Sequence, residues 1–243
     1  MGGRFVTTSR DARRRQRPGI AARERIRGVV AIDLDGTLLP GTSVLRLLAS
    51  ELGASGLVDR LERDFSAGTI GNERVADLTA ALFRGAQLRQ IEGVLAAAQW
   101  LPGISDAVER LGETGCRTLL ATVTWSFAAE IVACRFGFDG WCGTRMNNVR
   151  GRLTGMVESY FRPTDKAAYA LEECRLLGLS SRHLIAIGDS RSDCDLFRVS
   201  GLSIAVNGTP DAVSEADVSM GVRDLGEVVP VAVAYLESID FPS

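Results

Sequence analysis

The 243-residue chain has one lysine, Lys166, and one histidine, His183; its other 27 cationic side chains are arginine. A lone histidine argues against serine-histidine triads, histidine metal cages and histidine phosphotransfer, and leaves carboxylates as the main catalytic resource. The five cysteines (Cys116, Cys134, Cys142, Cys174, Cys194) are odd in number and lack Cys-x-x-Cys spacing. They form neither a disulfide framework nor a zinc site, and suit the reduced thiols of a cytoplasmic protein. No apolar run approaches the roughly 20 residues of a membrane span, and none follows the basic N-terminus as a signal core would. Neither membrane insertion nor export is expected. Aromatics make up only 6%, so Trp100, Trp125, Phe127, Tyr160 and Phe161 read first as core filling. Trp125, close behind Thr122, is the one most suited to line a site.

The hydrophobic fraction of 46% and charged fraction of 24% are those of a globular protein with a sizeable core. The net charge of -2 conceals an asymmetry. Residues 1–27 hold nine arginines against Asp11 and Glu24, so the remainder carries 19 basic residues against 28 acidic ones. Such an arm is expected to be solvated and mobile. It could also meet nucleic acid or an acidic surface, but nucleic acid is not expected as the partner. Oligomeric state is not legible in the sequence.

Val29-Val30-Ala31-Ile32 reads as a buried strand of a parallel sheet. Helical segments follow from Thr42 or Ser43 to about 52, then near 56–66, 72–83 and 87–99, punctuated by glycines. Four consecutive helices without a strand do not fit βαβ alternation, and indicate a helical module inserted after the first strand. Alternation resumes with a helix from Pro102-Gly103 to about 113 and a strand from Arg117 ending at Thr122. A helix over 126–136, two short extended runs around 141–145 and 152–157 with a turn at Arg150-Gly151 between them, and a helix over 164–177 come next. Strands at 184–187 and 202–206 and a last helix over about 224–237 complete the expected order. The fold class is α/β: a Rossmann-like parallel sheet with helices on both faces. Its division is a basic arm (1–27), a core (28–41 and 101–243) and a helical insert (42–100).

The first strand runs into Asp33-Leu34-Asp35-Gly36-Thr37. Carboxylates one residue apart at the carboxyl end of a buried strand, where open α/β sheets bind ligands, repel each other and favour a cation. An aspartate there can also serve as a nucleophile toward phosphorus, and its neighbour can move a proton. The same turn could be a loop with an Asx-type cap. Thr122 ends the second strand, and Gly188-Asp189-Ser190-Arg191-Ser192-Asp193 ends the strand at 184–187. That last stretch alone could be an acidic helix N-terminus, which leaves the matching acids of the first strand unexplained. Acids gathered from parallel strand ends suit Mg²⁺, a hard cation that keeps room for water and phosphate. Lys166, at the start of a helix, offers a compact point charge where a guanidinium fork would not fit; the alternative is a solvated helix face.

Asp-x-Asp-Gly-Thr, a strand-end Thr, a Lys and Gly-Asp-x-x-x-Asp, in that order over about residues 29–222, resemble the haloacid dehalogenase superfamily of phosphohydrolases. Within it the chain is most similar to the phosphoserine-phosphatase branch, with the insert in the corresponding place and Gly151–Gly155 and Gly201–Asn207 resembling stretches of those enzymes. The resemblance implies that residues 42–100 form a cap domain. It implies that Asp33 is the nucleophile and carries an aspartyl-phosphate, with Asp35 as acid and base. Mg²⁺ would be held by Asp33, the Asp35 carbonyl and Asp189, with Asp193 a ligand or a supporting partner. Thr122 and the Val123 amide would bind phosphate, and Lys166 would balance its charge. A small phosphorylated metabolite is the expected substrate. Departures bear on which one: Thr42 stands where those enzymes carry a glutamate, an arginine of the cap falls near Thr79, Thr122-Val123-Thr124 replaces Ser-Gly-Gly, and Ser192 replaces an asparagine. With both charged readers gone, the substrate is expected to be other than phosphoserine. Thr42, Thr79, Trp125 and Arg191 are the specificity candidates. Phosphotransfer to an alcohol acceptor, or a catalytically silent relative binding a partner through the arginine arm, are the alternatives.

Overall fold

The computed structural model describes residues 26–239, so nearly all of the basic arm expected over 1–27 lies outside the described residues. Seven strands form one sheet: β1 (Gly28–Ile32), β2 (Cys116–Trp125), β3 (Gly140–Val149), β4 (Arg152–Ser159), β5 (Leu184–Gly188), β6 (Leu202–Val206) and β7 (Val218–Met220). Their order is β4-β3-β2-β1-β5-β6-β7, with every neighbour parallel except the antiparallel β3–β4 pair. β1 is apolar and fully buried along its length, as a strand covered on both faces must be. Its side chains alternate between two apolar clusters: Val30 and Ile32 join one, Val29 and Ala31 the other.

Between β1 and β2 the chain forms α1 (Val44–Glu51), α2 (Ser55–Ser66), α3 (Asn72–Ala80), a single 3₁₀ turn (Ala81–Phe83) and α4 (Leu88–Ala96). Each presents a buried stripe, such as Val44, Leu45, Leu48 and Ala49 of α1. Leu48, Phe83 and Leu95 share one continuous cluster with Ile32, Trp125 and Phe127, so the insert and one sheet face have a common core. Burying each such side chain contributes about 1.5–3 kcal/mol at most. The same face takes α5 (Ile104–Glu113), α6 (Ser126–Phe136) and α10 (Val229–Ser238); α7 (Pro163–Leu176), α8 (Cys194–Val199) and α9 (Pro210–Glu215) cover the other.

Four details differ from the sequence expectation. β2 continues past Thr122 to Trp125. The two extended runs, joined at the expected turn, reach further than expected, over Gly140–Val149 and Arg152–Ser159. Their hairpin closes the sheet edge and also bonds to the insert, through Gly85 N–H to Leu153 O (2.8 Å) and Leu153 N–H to Ala86 O (2.9 Å). α9 and β7, of six and three residues, are too short to carry a periodicity. The last helix begins at Val229 after a 3₁₀ turn over Leu225–Val228.

Candidate active site

The sheet order puts β1 between β2 and β5, with Ile32 paired to Leu120 on one side and Ile187 on the other. The carboxyl ends of these three strands therefore lie together, and the ends are where the sequence changes from apolar to acidic. Asp33 continues the pairing, its N–H donating to Ile187 O at 2.8 Å. Leu34 turns into the core and is fully buried. Gly36 then adopts φ 89°, open to glycine at no cost, and a Cβ there would lie 2.2 Å from Asp189 Oδ2. That close approach lets Thr37 Oγ1 donate to Asp189 Oδ1 at 2.9 Å.

Lys166 arrives from α7. Pro163 occupies the first helical turn and Asp165 accepts the Arg162 N–H at 2.7 Å, which fixes the start of the helix. Lys166 shares the buried stripe of this helix with Ala167, Ala170 and Cys174, small residues that let it approach the sheet. Its ammonium, 0% exposed, donates to Asp33 Oδ1 (2.5 Å), Asp193 Oδ1 (2.7 Å) and Ser192 Oγ (3.2 Å). All three ammonium protons thus have an acceptor. Burial alone would lower its pKa, but the carboxylates of Asp193 and Asp33 outweigh that and raise it.

Asp193 is spent on the protein itself. Its Oδ2 accepts from Asp189 N (3.2 Å), Ser190 N (3.1 Å) and Ser190 Oγ (3.4 Å). It folds back over Gly188, where a Cβ would sit 2.4 Å from the Asp193 carboxyl carbon. Carboxylate oxygens of Asp33, Asp189 and Asp193 lie within 4.8 Å of one another. Three carboxylates face one ammonium, which leaves two negative charges uncompensated. Burial, and then the charge of Asp193, push Asp189 up to about 7 and hold Asp33 well above the usual carboxylate range. A divalent cation would balance this donor set, whose oxygen ligands suit a hard ion. Asp35, also raised to about 7 by burial, accepts the Val44 N–H at 2.7 Å at the start of α1.

The structure thus gathers Asp33, Asp35, Lys166, Asp189 and Asp193, with Thr122 buried at the adjoining end of β2. Its Oγ1 accepts the Thr124 N–H at 3.2 Å, which leaves the hydroxyl proton free to donate. Three specificity candidates fare differently. Thr79 is 0% exposed and its hydroxyl donates to Val75 O within α3 (2.8 Å), so it presents no surface to a ligand. Trp125 is 3% exposed and stacks on Phe127 at 5.9 Å, edge-on to Phe83; it is core, because β2 carries on to it and turns it inward. Arg191 reaches away to the insert, donating to Phe65 O (2.5 Å) and Ser66 O (3.3 Å) at the end of α2, with its guanidinium over the Phe65 ring. Thr42 stays partly buried just before Ser43, the residue that caps α1.

Residues not singled out from the sequence also matter. Glu62 of α2 accepts from Ser43 Oγ, pairs with Arg46 at 2.9 Å and adds its charge to those raising Asp35. Asn72, at the start of α3, joins the insert to the end of β2 by its side-chain amide. A lone Glu or Asn on an amphipathic helix carries no sequence signal that separates it from its solvated neighbours. A groove of about 690 Å³ has Asn72, Arg162, Arg191 and Asp195 in its lining, but none of Asp33, Asp35, Lys166, Asp189 or Asp193. No helix among the described residues is long and apolar enough to cross a membrane.

Residues 30–198 match the family model of the haloacid dehalogenase-like hydrolases. A phosphoserine phosphatase of Archaeoglobus fulgidus is 25% identical over 83% of this chain, which spans 58% of that relative's length. One of Methanocaldococcus jannaschii is 22% identical over 85% of this chain and 98% of its own. A solved substrate-bound phosphoserine phosphatase complex superposes with a TM-score of 0.76 at 20% identity, over 86% of this chain and 99% of that one. The matched span runs from the acidic end of β1 to the lysine helix and the Asp189–Asp193 turn, and by it the chain belongs to the haloacid dehalogenase-like hydrolase family, as a phosphoserine-phosphatase-like member.

Proposed function

We propose that this chain is a Mg²⁺-dependent phosphatase that hydrolyses a small phosphorylated metabolite through an aspartyl-phosphate on Asp33. The observation that carries the reading is the buried ammonium of Lys166 between Asp33 and Asp193, 133 and 27 residues away in sequence. Burying such a cluster is costly unless a ligand uses it. Asp33, the Asp35 carbonyl and Asp189 would hold the cation, which when bound supplies charge neutralisation for an incoming phosphate. Asp193, whose oxygens already accept four protein hydrogen bonds, orients Lys166 in preference to ligating metal.

An Asp33 carboxylate oxygen attacks phosphorus as the bond from phosphorus to the ester oxygen breaks. Asp35, whose pKa burial raises to about 7, gives its proton to the departing alkoxide. Water then loses a proton to Asp35 and attacks the same phosphorus, releasing inorganic phosphate and restoring the Asp33 carboxylate. The Thr122 hydroxyl and the Val123 amide donate to phosphate oxygens, and Lys166 offsets the charge shared by phosphate and Asp33.

Residues 42–100 act as the cap over this site. Thr42 offers no charge to an amino group, Glu62 is already paired to Arg46, and Thr79 is sealed in α3. A zwitterion such as phosphoserine would leave its charged groups unsatisfied there, so the substrate is less zwitterionic. The reduced thiols suit a cytoplasmic enzyme. The test is hydrolysis of a panel of phosphorylated metabolites with Mg²⁺, together with mass spectrometry of the Asp33 peptide for a trapped phosphoryl group. Loss of activity in Asp33→Asn is the expected result. Activity undiminished by that change would overturn the mechanism, and a strong preference for phosphoserine would overturn the substrate assignment.

A further inference from the structure

β2 leaves its ladder where the site begins. Ala121 pairs with Cys142 and Trp125 with Thr144, so four residues of β2 advance against two of β3, and the stretch Thr122, Val123 and Thr124 takes up the two extra residues by bulging from the sheet. A carbonyl taken out of the ladder and partly buried needs another donor. Val123 O finds two: Asn72 Nδ2 at 3.0 Å and Thr144 Oγ1 at 3.1 Å.

Asn72 is buried although it opens a helix of the insert. Its amide nitrogen lies 2.8 Å from Phe161 O and 3.1 Å from Thr144 Oγ1 as well, and the Phe161 N–H donates to Thr144 Oγ1 at 3.3 Å. One side chain therefore ties together the insert, the β2 bulge, β3 and the loop that leads into the Lys166 helix. The consequence for the bulge is specific. Val123 O and the Thr124 N–H belong to one planar peptide, so fixing the carbonyl aims that N–H at Thr122 Oγ1, where it is found at 3.2 Å. With that lone pair occupied, the Thr122 hydroxyl is turned to donate.

We propose that Asn72 is a positioning residue: through the Val123–Thr124 peptide it sets the Thr122 hydroxyl and the bulge amides for binding phosphate, coupling the docked insert to the reaction. The inference rests on the phosphatase reading for its catalytic consequence but not for its structural one, and the two are measured separately. Asn72→Ala, compared with the parent chain, is followed by hydrogen exchange of the 121–125 segment and by hydrolysis of p-nitrophenyl phosphate with Mg²⁺. Exchange is expected to quicken about tenfold or more, as for a segment released from a fixed bond. kcat is expected to fall about tenfold to a hundredfold, as for misplaced catalytic groups, with KM changed far less. A role confined to stability would lower the melting temperature and the active fraction while leaving KM and the kcat of the folded fraction unaltered. Exchange or kcat within twofold of the parent overturns the proposal. If Asn72→Ala does not fold, Thr144→Val removes the other donor to the same carbonyl; it must quicken the same segment and lower kcat, and an unchanged value of either overturns the proposal. A parent chain inert toward every phosphate ester sinks the phosphatase reading alone, and the exchange arm still decides whether Asn72 holds the bulge.

Discussion

Freed of divalent cation, the protein is expected to lose stability as pH rises from 5 to 7.5, and a divalent ion is expected to restore most at the upper end. Asp35 and Asp189 are each pushed up to about 7 in the fold, first of all by burial. In the unfolded chain they return to the ordinary carboxylate range near 4. Between those limits the folded state binds more protons than the unfolded one, so stability is full below about pH 4 and drains away as pH climbs to 7. Each carboxyl would contribute a loss of about 1.4 kcal/mol per pH unit, or roughly 5 kcal/mol for the two between pH 5 and 7. Relaxation and water entry reduce this to about half, 2–3 kcal/mol. For a chain of this size that is a drop of about 5–10 °C in Tm. Lys166 adds no slope, since its raised pKa keeps it charged throughout this window, while Asp33, also raised by burial, adds in the same direction as Asp35 and Asp189. Calorimetry of chelator-treated protein across the range gives the slope, and repeating it with Mg²⁺ gives the recovery, about 2.7 kcal/mol at a hundred times Kd. Asp189→Asn should flatten the metal-free slope. A Tm that rises or stays level from pH 5 to 7.5, or a slope equal in Asp189→Asn, would refute the electrostatic account of the site.

Lys166→Met should abolish hydrolysis and destabilise by about 3–5 kcal/mol, the cost of leaving buried carboxylates without their cation; Lys166→Arg should not rescue turnover, since the fork does not fit among Asp33, Ser192 and Asp193. Steady-state kinetics with denaturant melts check both, and an active arginine variant would remove the case for a compact charge. Gly36→Ala should weaken Mg²⁺ binding and lower stability by about 1–3 kcal/mol, because its Cβ would meet the Asp189 carboxylate at a positive φ. Titration calorimetry with Mg²⁺ reads this directly, and an unchanged affinity would mean that the turn yields without moving Asp189.

The local chemistry of this protein was written in its sequence: the apolar run before Asp33, the four helices with no strand between them, the strand before Gly188 and the solitary lysine. Such features depend on periodicity and residue type over a few positions, which is what short-range patterns encode. The order of motifs along the chain also sufficed to point to the family. Tertiary structure decided the rest. Setting β1 between β2 and β5 brings Asp33, Thr122 and Asp189 to one edge, and no local pattern specifies strand order. Trp125 follows Thr122 by three residues yet belongs to the core, because β2 pairs irregularly with β3 beyond Ala121 and delivers Trp125 into the apolar cluster with Phe83 and Phe127. Thr79 is sealed in a helix, and Arg191 serves the end of α2 although it lies within an acidic motif. Asn72 had no signal at all: an amide becomes a clamp only when three distant segments bring it their acceptors, and that juxtaposition exists only in the folded chain.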